Sequence, residues 1–522
     1  MRVSRRAVAA LSAAACVLTV ACVIVSVGRT VAKPLPPGLY DLVSPLRVHL
    51  RDGSVVLFRR GARVGAGSID GVGVRFGPMR RDSTFVSTVP LDSVLGAEVV
   101  TREQDAAASL ARSVLASAGA TLAVALVKLT FGSCPTVYSD SAGTPVLEAE
   151  SFSYSIAPML AKRDVDRLRA APDERGVVRL EVRNEALETH FIDHVELLEV
   201  RRAAGEEVFA EPRGEPVALA DPRPAVSVRD RSGRDLRRLL AAADGATFGT
   251  SEGRLAAAAA PDAPADSTQD WIEVAVPRRA GAGAHDSVAI ALRMRSSLLT
   301  TLLFYDHMLA RPGAASLDWV GRDLGRITTL ARLGRWYAGT AGLRVSVLDG
   351  GRWRQVARLA DFGPIAWRNV AVMVPAVGDD SVRVRLTFLA DQWRIDRLAV
   401  SARARRVRPR AVPLARVSAS DGAPVAAAYD ALRRPDDRPL QTLPGQRFFA
   451  EFDVGRADGP RTFFIAAQGY YNEWVRGAWL AAPTDSVPFD PGRLKVPALL
   501  REWRQARDSM EAQFFRAKVP VS

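Results

Sequence analysis

The chain is poor in the residues that usually announce chemistry. Its 522 residues include three cysteines and five histidines, and aromatic side chains make up only 7%. Cys16 and Cys22 stand within the first 27 residues, so the body of the chain keeps a single thiol, Cys134. One thiol cannot build an internal disulfide framework, and a chain this long has cores enough to do without one. No P-loop or dinucleotide fingerprint occurs. Lysine is nearly absent, although 71 basic residues face 57 acidic ones for a net charge of +14. That excess is almost all arginine, dispersed through an Ala-, Gly- and Val-rich background of the kind GC-rich coding produces. It shows no zinc-finger spacing, no RNA-binding signature and no basic stripe interleaved with aromatics, so a nucleic-acid partner is not expected.

What is present begins at the N-terminus. Arg2, Arg5 and Arg6 precede an uncharged, mostly apolar run over residues 7–27, the pattern of an export leader. Positive residues stay on the cytoplasmic side, which places the bulk of the chain outside the cytoplasm, in the cell envelope. Leu18-Thr19-Val20-Ala21-Cys22 is similar to a bacterial lipobox with its leucine one place early, and makes Cys22 the candidate lipidation site. The run continues past Cys22, long enough for an uncleaved anchor, and simple secretion is the third ending. Residues 33–37, Lys-Pro-Leu-Pro-Pro, read as a stiff tether. A second apolar stretch, residues 106–129, has 15 uncharged residues between Arg112 and Lys128, short for a span, and reads as a buried or membrane-surface helix.

Elsewhere the patterning is mainly β. Short alternating segments at 46–50, 55–58, 71–76, 84–89 and 95–100 are separated by turn signals such as Asp52-Gly53 and Asp70-Gly71. This opening resembles the SH3-like or Sm-like small barrels of envelope proteins. Alternation returns over 343–400 with the turn Asp349-Gly350-Gly351, and its ending, from Val382 to Phe388 and from Trp393 to Val400, resembles the last strands of galactose-binding-like jelly rolls. The set Cys134-Pro135-Thr136-Val137-Tyr138, Glu148-Ala149-Glu150-Ser151-Phe152, Asn184-Glu185-Ala186-Leu187-Glu188-Thr189 and Gln468-Gly469-Tyr470-Tyr471-Asn472-Glu473-Trp474 resembles a group of bacterial envelope lipoproteins, a likeness that carries no activity with it.

The expected organisation is a leader or anchor over 1–27, a tether over 28–45, a small barrel over 46–103 and an apolar helix over 104–131. A β-rich domain of unknown type follows over 132–330, then a β-sandwich over 331–401, continuous with it or separate. A surface linker over 402–440 and a β-hairpin with a C-terminal helix over 441–522 close the chain. The fold class is mainly β and multidomain, with jelly-roll-like sandwiches and a few helices.

Each candidate site has a plainer alternative. His190 and His194 on a helix would present both rings to one metal, but their neighbours alternate as a strand, and four strand residues rise about 13 Å. Glu148 and Glu150 share a strand face, whereas glycosidase carboxylates come from different strands around an aromatic cleft. Gly249-Thr250-Ser251-Glu252-Gly253 spells Gly-x-Ser-x-Gly without the strand–turn–helix setting of a nucleophile elbow. Cys134 has no base fixed beside it by spacing and reads as a buried thiol. No catalytic residue, metal or cofactor is therefore assigned. Candidate ligand contacts are the aromatics Trp353, Trp393, Tyr470, Tyr471 and Trp474, one of the adjacent tyrosines having to leave its core. The arginines at 403, 405, 406, 408 and 410 read as a solvated linker, with an anionic lipid or polymer as the sharper alternative. The expected role is a non-enzymatic, membrane-tethered envelope scaffold or binding module with an envelope protein or glycan as partner. The alternatives are a carbohydrate-binding protein and a hydrolase of envelope polymers.

Overall fold

Alternating Val, Ile and Leu dictate most of the structure. In Gln269–Pro277 every second residue is buried, and the same alternation recurs in Ser381–Leu389, so each strand offers one face to a core. The computed structural model describes residues 28–104 and 135–521, apart from 35–39, 43–45, 51–54, 59, 77–82, 142, 187, 280–285, 313–318, 320–322, 361, 379, 437, 443–444, 474–486, 515–517 and 520. The leader with Cys16 and Cys22, the apolar stretch 106–129, Cys134 and Trp474 lie outside the described residues. Among the described residues no helix is long and apolar enough to cross a membrane.

The fold is mainly β, with four antiparallel-dominated sheets paired face to face and a fifth at the N-terminus. The N-terminal sheet holds eight strands, and all five segments expected in 46–100 are among them. Leu46, Val48, Val56, Phe58 and Ile69 fill its core. Gly73 sits against Phe58 and Val56 so closely that a Cβ would meet both at 2.8 Å. The tether reading gives way here. Gly28–Pro34 is an edge strand paired with Val94–Gln104, and its proline ends the strand, where a missing N–H costs little.

Two β-sandwiches follow, one nested inside the other. The outer one packs the sheet containing Val177–Arg183 and Arg447–Asp453 against the sheet containing Glu188–Arg201 and Arg461–Glu473. Leu180, Ile192, Leu197, Phe452 and Ile465 meet between them. The inner one is inserted between Glu188–Arg201 and Arg410–Val412, running from Glu206–Ala210 to Ala404–Arg406. Ile272, Val274, Ile290, Val345, Val384, Trp393 and Ile395 form its core. The sandwich expected at 331–401 is thus part of a larger unit that draws strands from the preceding stretch. Two further expectations change and one holds. Residues 402–440 are no linker: Ala404–Arg406, Arg410–Val412 and Arg416–Ser418 pair into three different sheets. Arg447–Asp453 and Arg461–Glu473 are no hairpin, because they lie in opposed sheets of the outer sandwich. The C-terminal helix, Val496–Phe514, does form, and buries Leu499, Leu500 and Trp503 in a helical layer with Phe304, Met308 and Leu333.

The two sandwiches are joined by buried charge. Arg368, at the start of an inner-sandwich strand, reaches Asp166 (Nη2 to Oδ2 2.7 Å) and Asp164 (3.2 Å) on the outer strand Lys162–Arg167. Lys162 closes the group 3.3 Å from Asp164. Burial alone would raise the Asp164 carboxyl, yet Arg368 and Lys162 hold it below its ordinary value. Glu150 makes a second crossing: its Oε2 accepts from the backbone N–H groups of Ile365 (2.9 Å) and Ala366 (3.2 Å). Removing one member of such a group strands the others. Arg368→Ala should therefore cost about 3–5 kcal/mol in a denaturant melt, and Arg368→Met with Asp166→Leu should recover part of it. A loss within about 1 kcal/mol for the single variant would show that the joint is held by something else.

Candidate ligand-binding cleft

Three of the motif segments converge on one end of the outer sandwich. Strand register sets His190 opposite Tyr471 and Glu188 opposite Glu473, with Thr442 on the other side of His190. Tyr154 comes in from Ser151–Ser155, where Phe152 (φ 38°) and Tyr154 (φ 69°) adopt left-handed backbone, and Tyr471 N–H donates to Ser155 O at 2.8 Å. His190 Nε2 lies 3.0 Å from Glu188 Oε1, and both side chains are completely buried. Burial drives the His190 imidazole down to about 3, so the ring is neutral. Burial, with Tyr305, Glu188 and Glu473 nearby, pushes the Tyr471 phenol well above its ordinary range. Asn184 ties the neighbouring backbone together by donating to Glu188 O (2.9 Å) and Thr442 O (3.0 Å). This is a sealed polar knot. A substrate has no access to it without opening the fold.

The remaining sequence candidates separate. Trp393 is wholly buried and packs edge-on against Phe362, so it is a core residue and no ligand contact. Tyr471 is likewise removed. Tyr470 leaves the core, as one of the pair must, and stacks on Phe191 with ring centroids 4.7 Å apart. Trp353 lies on the outer face of an edge strand, where the Arg385 guanidinium covers its ring at 4.1 Å. Glu148 accepts from Ser139 Oγ (2.6 Å) and Arg169 N–H (2.8 Å), while Glu150 is spent on the joint, so the two carboxylates serve separate networks. Ser251 is exposed and leads into the short helix Glu252–Ala258, and the buried group of that motif is Thr250, bonded to Asp270 at 2.8 Å. The basic run is not free: Arg405 binds Glu206 and Arg406 binds Glu211, with Arg410 on Glu199 at 2.8 Å. His194 stands on the same strand as His190, past a bulge, and shares no ligand geometry with it.

Asp306, His307 and Glu502 are the one group of metal-type ligands that approach one another among the described residues. Arg311 already fills that space, donating to Glu502 (2.7 Å) and Asp306 (2.8 Å), and a cation would have to displace it.

Sequence reasoning missed a site that is open to solvent. A cleft of about 700 Å³ lies at the joint between the sandwiches, lined by Arg167, Arg169, Arg202, Arg293, Arg397 and Arg461 against a single carboxylate, Glu207. Arg293 and Arg397 are directly opposed on neighbouring antiparallel strands, an arrangement in which like charges repel. Glu207 takes a fork from Arg397 (3.1 and 3.2 Å) and a longer contact from Arg167 (3.6 Å). Arg293 is held by Asp396, and Arg461 by Glu199 and two backbone carbonyls. Arg202 donates to Glu206 O at 3.0 Å, and its Nε is buried without a partner. Burial lowers the affinity of Arg167 for its proton, Glu207 pulls against that, and the charges of Arg202 and Arg397 add smaller lowering effects. The only sequence signal was arginine on the outward positions of Val288–Ser296 and Trp393–Val400, which reads as ordinary surface until both strands are seen side by side.

No family model and no curated protein matches this chain. Among solved structures, an allantoicase aligns over 53% of this chain and 92% of its own at 10% identity, with a TM-score of 0.17. A GH31 α-xylosidase from Xanthomonas citri aligns over 84% and 38% at 8% identity (TM-score 0.14), and the secreted serine protease VesC from Vibrio cholerae over 67% and 64% at 8% (TM-score 0.13).

The knot has a pH signature. A histidine depressed from 6.5 to about 3 leaves the unfolded chain binding a proton that the folded chain refuses. Stability is therefore full above pH 6.5 and falls as pH drops toward 3, at up to about 1.4 kcal/mol per unit from this group. His190→Gln, which still donates to Glu188, should flatten that acid arm in melts run from pH 7 to about pH 4. An unchanged slope would mean that His190 is protonated in the native state.

Proposed function

We propose that this chain is a membrane-tethered protein of the cell envelope, a binding module rather than an enzyme, and that its ligand sits in the cleft between the nested sandwiches. The carrying observation is that walls from both sandwiches, held together by a buried ion group, border an open cleft of about 700 Å³, within the size range of small-molecule sites. The tether rests on Arg2, Arg5, Arg6 and the apolar run behind them. Binding is favoured over hydrolysis because Glu207 is the single carboxylate in the cleft, and glycoside or ester hydrolysis by acid–base pairs needs two groups. Carbohydrate stacking is less favoured, since Trp393 is core and the ring of Trp353 is already covered by Arg385.

The test is thermal unfolding of the full chain in detergent, with and without a small-molecule extract of bacterial envelopes. The extract should raise the Tm of the wild type and leave Asn369→Trp, which fills the cleft, where it was. Equal shifts for both proteins, or none for either, would remove the cleft as the binding site.

A further inference from the structure

The cleft carries more positive charge than its own carboxylates neutralise, and that excess identifies a ligand class. Around Glu207 stand three guanidinium groups: Arg397 and Arg167 in contact with it, and Arg202 close enough to Arg167 to depress it. One carboxylate among three arginines leaves two charges over. Arg169 and Arg293 stand on the adjoining wall, each with a carboxylate of its own, Glu148 at 3.6 Å and Asp396, so the excess is confined to the group around Glu207. Half-buried cations that repel one another are costly to fold, and solvent screens them poorly. These groups also enter from the outer strand Lys162–Arg167, from the residue after Glu188–Arg201 and from two inner-sandwich strands, so their donors converge from several directions. A planar carboxylate is satisfied by one arginine fork, whereas a tetrahedral dianion offers oxygens to several at once.

From this geometry we infer that the cleft binds a soluble phosphomonoester, its dianionic phosphoryl group held among Arg167, Arg202 and Arg397 and its organic part filling the remaining volume. The inference rests on the binding-module reading above. Nothing covalent is required. The phosphoryl group neutralises the two excess charges and turns the repulsion that strains the empty cleft into binding energy.

Isothermal titration of the full chain in detergent tests this with glucose 6-phosphate, inorganic phosphate, glucose, sulfate, acetate and vesicles containing phosphatidylglycerol. Glucose 6-phosphate and phosphate should bind once per chain and more weakly as salt rises, sulfate should compete, and glucose and acetate should do neither. Arg202→Gln should weaken glucose 6-phosphate by about tenfold or more, the effect of one charge-assisted contact. It should also leave the ligand-free Tm unchanged or higher, because it relieves repulsion; a residue with only a structural role would lower it. Arg383→Gln, on a distant strand, controls for general charge and should change neither reading. Binding of glucose as tight as that of its phosphate would overturn the inference, as would an Arg202→Gln variant with full affinity. Preference for vesicles over the soluble ester, lost in Arg202→Gln, would overturn it in favour of a lipid headgroup. If no phosphate binds while envelope extract still stabilises only the unfilled cleft, the phosphoryl assignment fails and the binding site stands. If the extract also fails, both fall.

Discussion

Arg368 is the pin on which the arrangement turns. It leaves the inner sandwich, enters the edge of the outer one, and meets two carboxylates that lie on alternate positions of a single strand. Two cations and two anions make the group neutral as a whole, which is the condition for keeping charge away from water. An apolar contact at the same place would hold the sandwiches together but would let them slide. A guanidinium fork, together with the backbone N–H groups of Ile365 and Ala366 on Glu150, allows one relative position.

The cleft is a consequence of that fixed joint. Arg293 and Arg397 belong to the inner sandwich, and Arg167, Arg169 and Arg461 to the outer one. Brought together, they generate a positive space that neither unit has alone. The knot of Glu188, His190 and Tyr471 is sealed, Arg405, Arg406 and Arg410 are matched with Glu206, Glu211 and Glu199, and Arg311 occupies the gap between Asp306 and Glu502. The cleft gathers arginines from both units around one carboxylate, and this directs the functional reading toward it.

Much of the β architecture was legible. Period-two alternation located the N-terminal strands and those from 343 to 400, and helical spacing located the buried face of Val496–Phe514, because each element hides one face and the sequence records which. The segments around Glu188, His190 and Tyr471 were legible as unusual, though not for what they do. Glu188, His190 and Tyr471 stand out as polar groups on strands, but only the register of two strands nearly 280 positions apart makes them one buried network. The linker and hairpin readings failed for a related reason. Arg- and Pro-rich composition signals exposure, and the exposed edge strands at 404–418 share it. Adjacency in sequence suggested a hairpin where Gly455 and Gly459, both at positive φ, instead carry the chain from one sheet to the facing one.

The mainly β class and the faces that become core were determined by local pattern, since periodicity acts over a few residues. The nesting of one sandwich within another was decided only in three dimensions. Its cause is long-range pairing, with Glu188–Arg201 closing on Arg410–Val412 after an intervening domain. The arginine cleft belongs to the same category. Arg293 and Arg397 already face each other within the inner sandwich, but bringing Arg167 and Arg202 of the outer one up to them requires the two units to dock at the distance that Arg368 sets.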